Sequence, residues 1–175
     1  MRRITLSATA MLLVAQLAAA QTVVNPPKNK YDVKEDVQLG REAAAEVEKQ
    51  LPLLRDDNIQ SYVENIGQRL VGAIPGNLQH SEFRYTFKVV NVREINAFAL
   101  PGGPMYINRG MMEAAKTEGE IAGVMAHELS HVALRHGTAQ ATKSTPFAIG
   151  QMAGAIAGAI IGGRTGSILA QGSQV

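Results

Sequence analysis

The chain of 175 residues contains no cysteine, so it can form no disulfide, and its stability has to come from an apolar core and from any metal it binds. The same absence excludes a lipid-modified cysteine after the N-terminal apolar run. Net charge is nearly lacking as well. The 17 Lys and Arg include Arg2 and Arg3, which fall in a segment expected to be removed. Without those two, basic residues equal the 15 Asp and Glu, and nothing in the charge argues for nucleic acid. Internal repeats are absent. From Leu129 to Val175 there is no Asp or Glu, an absence that bears on metal chemistry below.

Of what is present, the first segment joins Arg2 and Arg3 to an apolar stretch from about Leu6 to Leu17 and to Ala18-Ala19-Ala20. That pattern predicts a secretory signal peptide over 1–20, cleaved after Ala20. Residues 21–31, with "TVVNPPKNK", read as a flexible lead-in, and 32–175 suit one domain. Asp32 with Glu35 forms a capping box for a helix to about Gln50. Asp57 with Gln60 caps a second helix, ending near Gly72. "FRYTFKVV", residues 83–90, alternates apolar and polar positions as a half-buried strand does. Pro101-Gly102-Gly103-Pro104 is a turn between the short apolar segments "AFAL" and "MYI", which predicts a hairpin or tight corner. An edge strand there could pair with an extended substrate backbone, which makes Asn96, Ala97, Phe98 and Ala99 substrate-binding candidates.

Three of the four histidines lie in "GVMAHELSHVALRHG", residues 123–137, where His127 and His131 bracket Glu128 as H-E-x-x-H. At this composition, chance would write the pattern somewhere in the chain roughly half a per cent of the time. Thr117 with Glu120 as a capping box, and Gly137 as a stop, predict a helix over about 118–136. Its apolar face is Ile121, Val124, Met125, Leu129 and Val132. On that helix the two histidines are about 40° and one turn apart, so both imidazoles can reach one ion. Glu128 falls beside them, poorly placed as a ligand and well placed as a general base. A zinc ion held by the pair would bring the pKa of water to about 7, and the implied chemistry is amide hydrolysis. Extending the same helix puts His136 about 180° from His127, a partner for the helix C-terminal dipole rather than a ligand.

Taken together, "NAFALPGG" at 96–103, Tyr106-Ile107, Glu118 and Glu120, "AHELSHV" at 126–132, Arg135 and His136 resemble the zinc metallopeptidases that include HtpX and the CAAX prenyl protease. The resemblance covers roughly residues 32–140. It implies an α+β, mainly helical zincin-type metallopeptidase domain with a small sheet, one Zn2+ on His127 and His131, and Glu128 as the catalytic residue. With the export signal, it points to the periplasmic branch that maintains the outer membrane, whose members degrade misassembled envelope proteins and can act as chaperones.

The family takes its third zinc ligand from a Glu on a later helix, and this chain has none there. His80, Glu94 and Glu113 have no spacing argument in their favour, and Glu120 lies about 10 Å along the helix axis from His127. The expectation is therefore the N-terminal portion of a longer peptidase domain, with a catalytically incomplete, chaperone-like binding protein as the alternative. In place of the acid stands "FAIGQMAGAIAGAIIGGRTG", 147–166, with glycines at every fourth position from Gly150 to Gly166. It reads as a membrane-surface or occluding segment, with a short span or a flexible loop as the other readings.

Overall fold

The computed structural model describes residues 24–142 together with Gly154 and Gly158, both helical. The expected signal segment 1–20 and, those two glycines apart, the segment 147–166 lie outside the described residues.

Helix α1 is Val33–Gln50, opened by the expected capping box: the Asp32 side chain accepts from Glu35 N–H, and Glu35 accepts in return from the cap's own N–H. Helix α2 is Asp57–Gly72. Its cap is Asp56, one residue before the expected Asp57, with Oδ1 accepting from Asn58 and Ile59 N–H. Gln60, expected to complete a capping box, instead donates to the Phe87 carbonyl. Then come β1 (Thr86–Val90), β2 (Ala97–Ala99), β3 (Pro104–Asn108), the short α3 (Arg109–Ala114), α4 (Glu118–Ala133) and α5 (His136–Thr142). The architecture is α+β.

The strand expected over 83–90 enters the sheet only at Thr86. Ahead of it, Arg84 N–H donates to Gly102 O, so residues 83–85 are tied to the turn before β3 and not to a strand. The sheet order is β1-β3-β2, with β1 parallel and β2 antiparallel to β3. The expected hairpin is β2–β3. Its turn holds Gly102 at φ 75 and Gly103 at φ 126, a region that side chains other than glycine's rarely adopt. The outer edge of β1 is covered, because Leu53 bridges Val90 and Leu54 N–H donates to Val89 O.

Alternation along the strands sorts the core into two layers. On one face Leu39, Ala43 and Val47 of α1 pack with Val90, Phe98, Leu100 and Tyr106. On the other, Val63 and Ile66 of α2 and Ile121, Met125 and Leu129 of α4 pack with Phe87, Val89, Met105 and Ile107. The buried positions of α4 are thus those its spacing predicts, except that Val124 is half-buried and Ala133 is buried as well. Ala97 and Ala99 point to the α4 side, and their small side chains let that helix lie close to β2.

Candidate metal centre

The N-cap of α4 is Thr117, whose Oγ1 accepts from Glu120 N–H at 3.2 Å. The Glu120 carboxylate reaches Lys116 N–H rather than the cap residue's own. Burying Ile121, Met125, Leu129 and Val132 fixes the rotation of the helix, and this leaves His127 exposed, with Glu128 and His131 half-buried beside β2.

His127 Nε2 and His131 Nε2 stand 3.1 Å apart. Two nitrogens at about 2.0–2.1 Å from one tetrahedral zinc ion would be about 3.3–3.4 Å apart. The pair therefore fits a shared ion after a slight widening. Burial, with the neighbouring His136 and His127 adding to it, pulls the His131 pKa down to about 4, which keeps its imidazole neutral as a ligand must be. Among the described residues no third His, Cys, Asp or Glu completes a group that could hold a metal ion.

Between the histidines in sequence, Glu128 turns toward β2. Its Oε2 is buried and has no partner. Burial raises its pKa, against the opposing pull of His127 and of a hydrogen bond from the Ala99 backbone. A carboxylate so raised is a stronger base than one in water.

The strand beside it is, among the described residues, an open edge of the sheet. Leu100 N–H donates to Pro104 O, and Asn108 N–H to Asn96 O. The even-numbered residues of the segment thus spend their backbone groups on β3, while those of Ala97 and Ala99 face the edge. Of the substrate-binding candidates, Ala97 and Ala99 lie on the side of Glu128, and Asn96 pairs with β3 at the start of the strand. Phe98 is a core residue, 2% exposed and stacked on Tyr106 with ring centroids 5.1 Å apart.

The end of α4 differs from the expectation of about 118–136. The helix stops at Ala133, Leu134 caps it, and Arg135 takes φ 58. That left-handed residue turns the chain, so His136 is not on the far side of the helix: its Nδ1 lies 2.7 Å from His131 Nδ1. Helical extrapolation through residue 136 missed this contact, because the break comes three residues before the glycine taken as the stop.

The profile of peptidase family M48 matches residues 57–173. The chain belongs to peptidase family M48. Among M48-type relatives, it is 31% identical over 104 residues to a beta-barrel assembly-enhancing protease of Escherichia coli (strain K12), an alignment covering 59% of this chain and 20% of that protein. It is 32% identical over 99 residues to the metalloprotease LoiP of the same organism, covering 57% of this chain and 36% of LoiP. To the mitochondrial metalloendopeptidase OMA1 of Arabidopsis thaliana it is 39% identical over 64 residues, covering 37% of this chain and 13% of OMA1. The chain thus spans about a fifth of the length of the assembly-enhancing protease it matches.

Proposed function

We propose that this chain carries the zinc-binding half of the active site of an exported, periplasmic metalloendopeptidase. The observation that carries the reading is the pair of Nε2 atoms 3.1 Å apart beside a buried, unpartnered Glu128 oxygen on an open strand edge. His127 and His131 would hold the ion from one helix face, in the manner of a zincin-type active-site helix. When bound, zinc supplies Lewis acidity toward water and toward a peptide carbonyl. Glu128 takes the proton from water and hands it to the leaving amine. Ala97 and the Ala99 carbonyl offer backbone groups to an extended polypeptide, the Ala99 N–H being held by Glu128, and the polypeptide adds as a further strand with its scissile bond over Glu128. Asn96 marks one end of that run.

The substrate class we favour is misfolded or misassembled envelope protein, on the strength of relatives named as assembly-enhancing proteases. No Asp or Glu follows Glu128 in the sequence, and among the described residues no group of three His, Cys, Asp or Glu that could hold a metal ion is formed. Segment 147–166 is proposed to associate with a membrane surface. No helix among the described residues is long and apolar enough to cross a membrane.

A second reading has one observation in its favour: two ligands instead of three among the described residues. It is a chaperone-like protein of the same fold that binds polypeptide without cutting it. Zinc titration with a casein-cleavage assay separates the two. With only two ligands, this chain alone is expected to bind zinc weakly and to cut little; in a protein with its full ligand set the peptidase reading expects stoichiometric zinc, zinc retained but cleavage reduced about 10²–10⁴-fold in Glu128→Gln, and both lost in His127→Ala. Zinc retained in full by His131→Ala, or cleavage unaffected by Glu128→Gln, would sink it.

A further inference from the structure

Each histidine of the pair has a second ring nitrogen, and for His131 the structure shows where it goes. His131 Nδ1 and His136 Nδ1 are 2.7 Å apart, with ring centroids 4.9 Å apart and planes at 64°. Of two such nitrogens, one has to carry the proton and the other accept it. His131 Nε2 faces His127, so a His131 ready for metal keeps its proton on Nδ1 and donates to His136. In water, histidine favours the opposite tautomer, with the proton on Nε2. The neighbour therefore decides which nitrogen is free.

His136 stands there because of Arg135. A non-glycine residue at φ 58 is strained, and here its side chain holds the turn in place. Arg135 Nε donates to Asp36 Oδ2 at 2.5 Å, and Nη2 donates to the Tyr31 carbonyl at 2.6 Å. Asp36 is 1% exposed, and a charge so buried needs its partner. The ion pair thus fastens the turn between the two histidines to α1, across the sheet from α4.

We propose that His136 is a positioning residue of the metal centre, holding His131 as the Nδ1–H tautomer with Nε2 free, and that the Asp36–Arg135 ion pair holds His136 in place. This rests on the reading of His127 and His131 as metal ligands.

The test begins with the metal-free full chain labelled with 15N-histidine, in which long-range proton–nitrogen NMR at neutral pH reads each tautomer. His131 is expected as Nδ1–H in the wild type. It should remain so in His136→Asn, which sets an acceptor oxygen near the position of Nδ1, and revert to Nε2–H in His136→Leu. Zinc affinity, measured by competition with a chromophoric chelator, should fall about 10–100-fold in His136→Leu and recover in His136→Asn. Asp36→Asn should shift both readouts in the direction of His136→Leu. An Nε2–H tautomer at His131 in the wild type overturns the proposal without any variant, as does a His136→Leu protein with unchanged tautomer and zinc affinity. Equal zinc binding by wild type and His127→Ala would show instead that the ligand assignment is at fault.

Discussion

Outside the His127–His131 pair, Arg135 is the residue with the longest reach, joining the end of α4 to α1 through Asp36 and the Tyr31 carbonyl. Replacing it with Leu leaves the Asp36 carboxylate buried without its cation, and breaking a buried pair in this way costs about 3–5 kcal/mol. Pairing Arg135→Leu with Asp36→Leu removes the stranded charge and should return much of that loss. Urea unfolding of the two variants checks this, and a double variant no more stable than the single would show the cost lies in the turn itself. At this scale His127, Glu128 and His131 were legible because their relation depends only on helical spacing within a well-capped helix. His136 was not, because its place depends on where the helix breaks. The break is made by an ion pair to a residue 99 positions away, and no local pattern announces it. Phe98 was misread for a related reason, since which side of a strand faces the core depends on its partner strand.

Among the elements, α1 meets the turn before β3 at Gly40. A Cβ there would overlap the Pro101 carbonyl oxygen. In an open helix, Gly→Ala gains about 1 kcal/mol, but here the neighbour is backbone and cannot swing aside. Gly40→Ala is therefore expected to destabilise by about 1–3 kcal/mol, seen as a lowered midpoint in thermal unfolding. A raised midpoint would mean the turn moves freely away from α1. Helices α1, α2 and α4 were readable from caps and apolar spacing. Their errors are local and physical: with Asp56 and Asp57 adjacent, sequence alone does not choose the cap, and β1 starts late because Arg84 bonds to the turn. The lead-in expected to be flexible has anchors of its own, Asn29 Nδ2 donating to Thr138 Oγ1 at 2.7 Å and Lys30 N–H to Thr142 Oγ1 at 3.1 Å.

The molecule as a whole is joined across α1, β1 and β3 by Glu48, whose Oε1 accepts from Lys88 Nζ and from Tyr106 Oη, both at 2.7 Å. Burial alone would raise its pKa, but the bonds from Lys88 and Tyr106 outweigh that and lower it. A carboxyl with a depressed folded-state pKa stabilises above its unfolded value and loses that contribution as pH falls through the folded value. The difference in unfolding midpoint between wild type and Glu48→Gln should therefore favour wild type at pH 7 and shrink below about pH 4.5. A difference independent of pH between 7 and 3 would remove Glu48 from the account. The small sheet was foreseeable from the resemblance and the hairpin from its turn residues, whereas the parallel pairing of β1 with β3 carries no sequence mark. That pairing has a consequence in time. The middle strand of the sheet is the last of the three to leave the ribosome, and β1 and β2 have no ladder with each other. A nascent chain that stops short of Pro104 holds β2 unpaired and β1 with only its outer-edge bonds to residues 52–54, and the sheet can zip only once β3 arrives between them. Pulse-labelling hydrogen exchange should then show the amides of β1 and β2 gaining protection together, in a single phase set by β3.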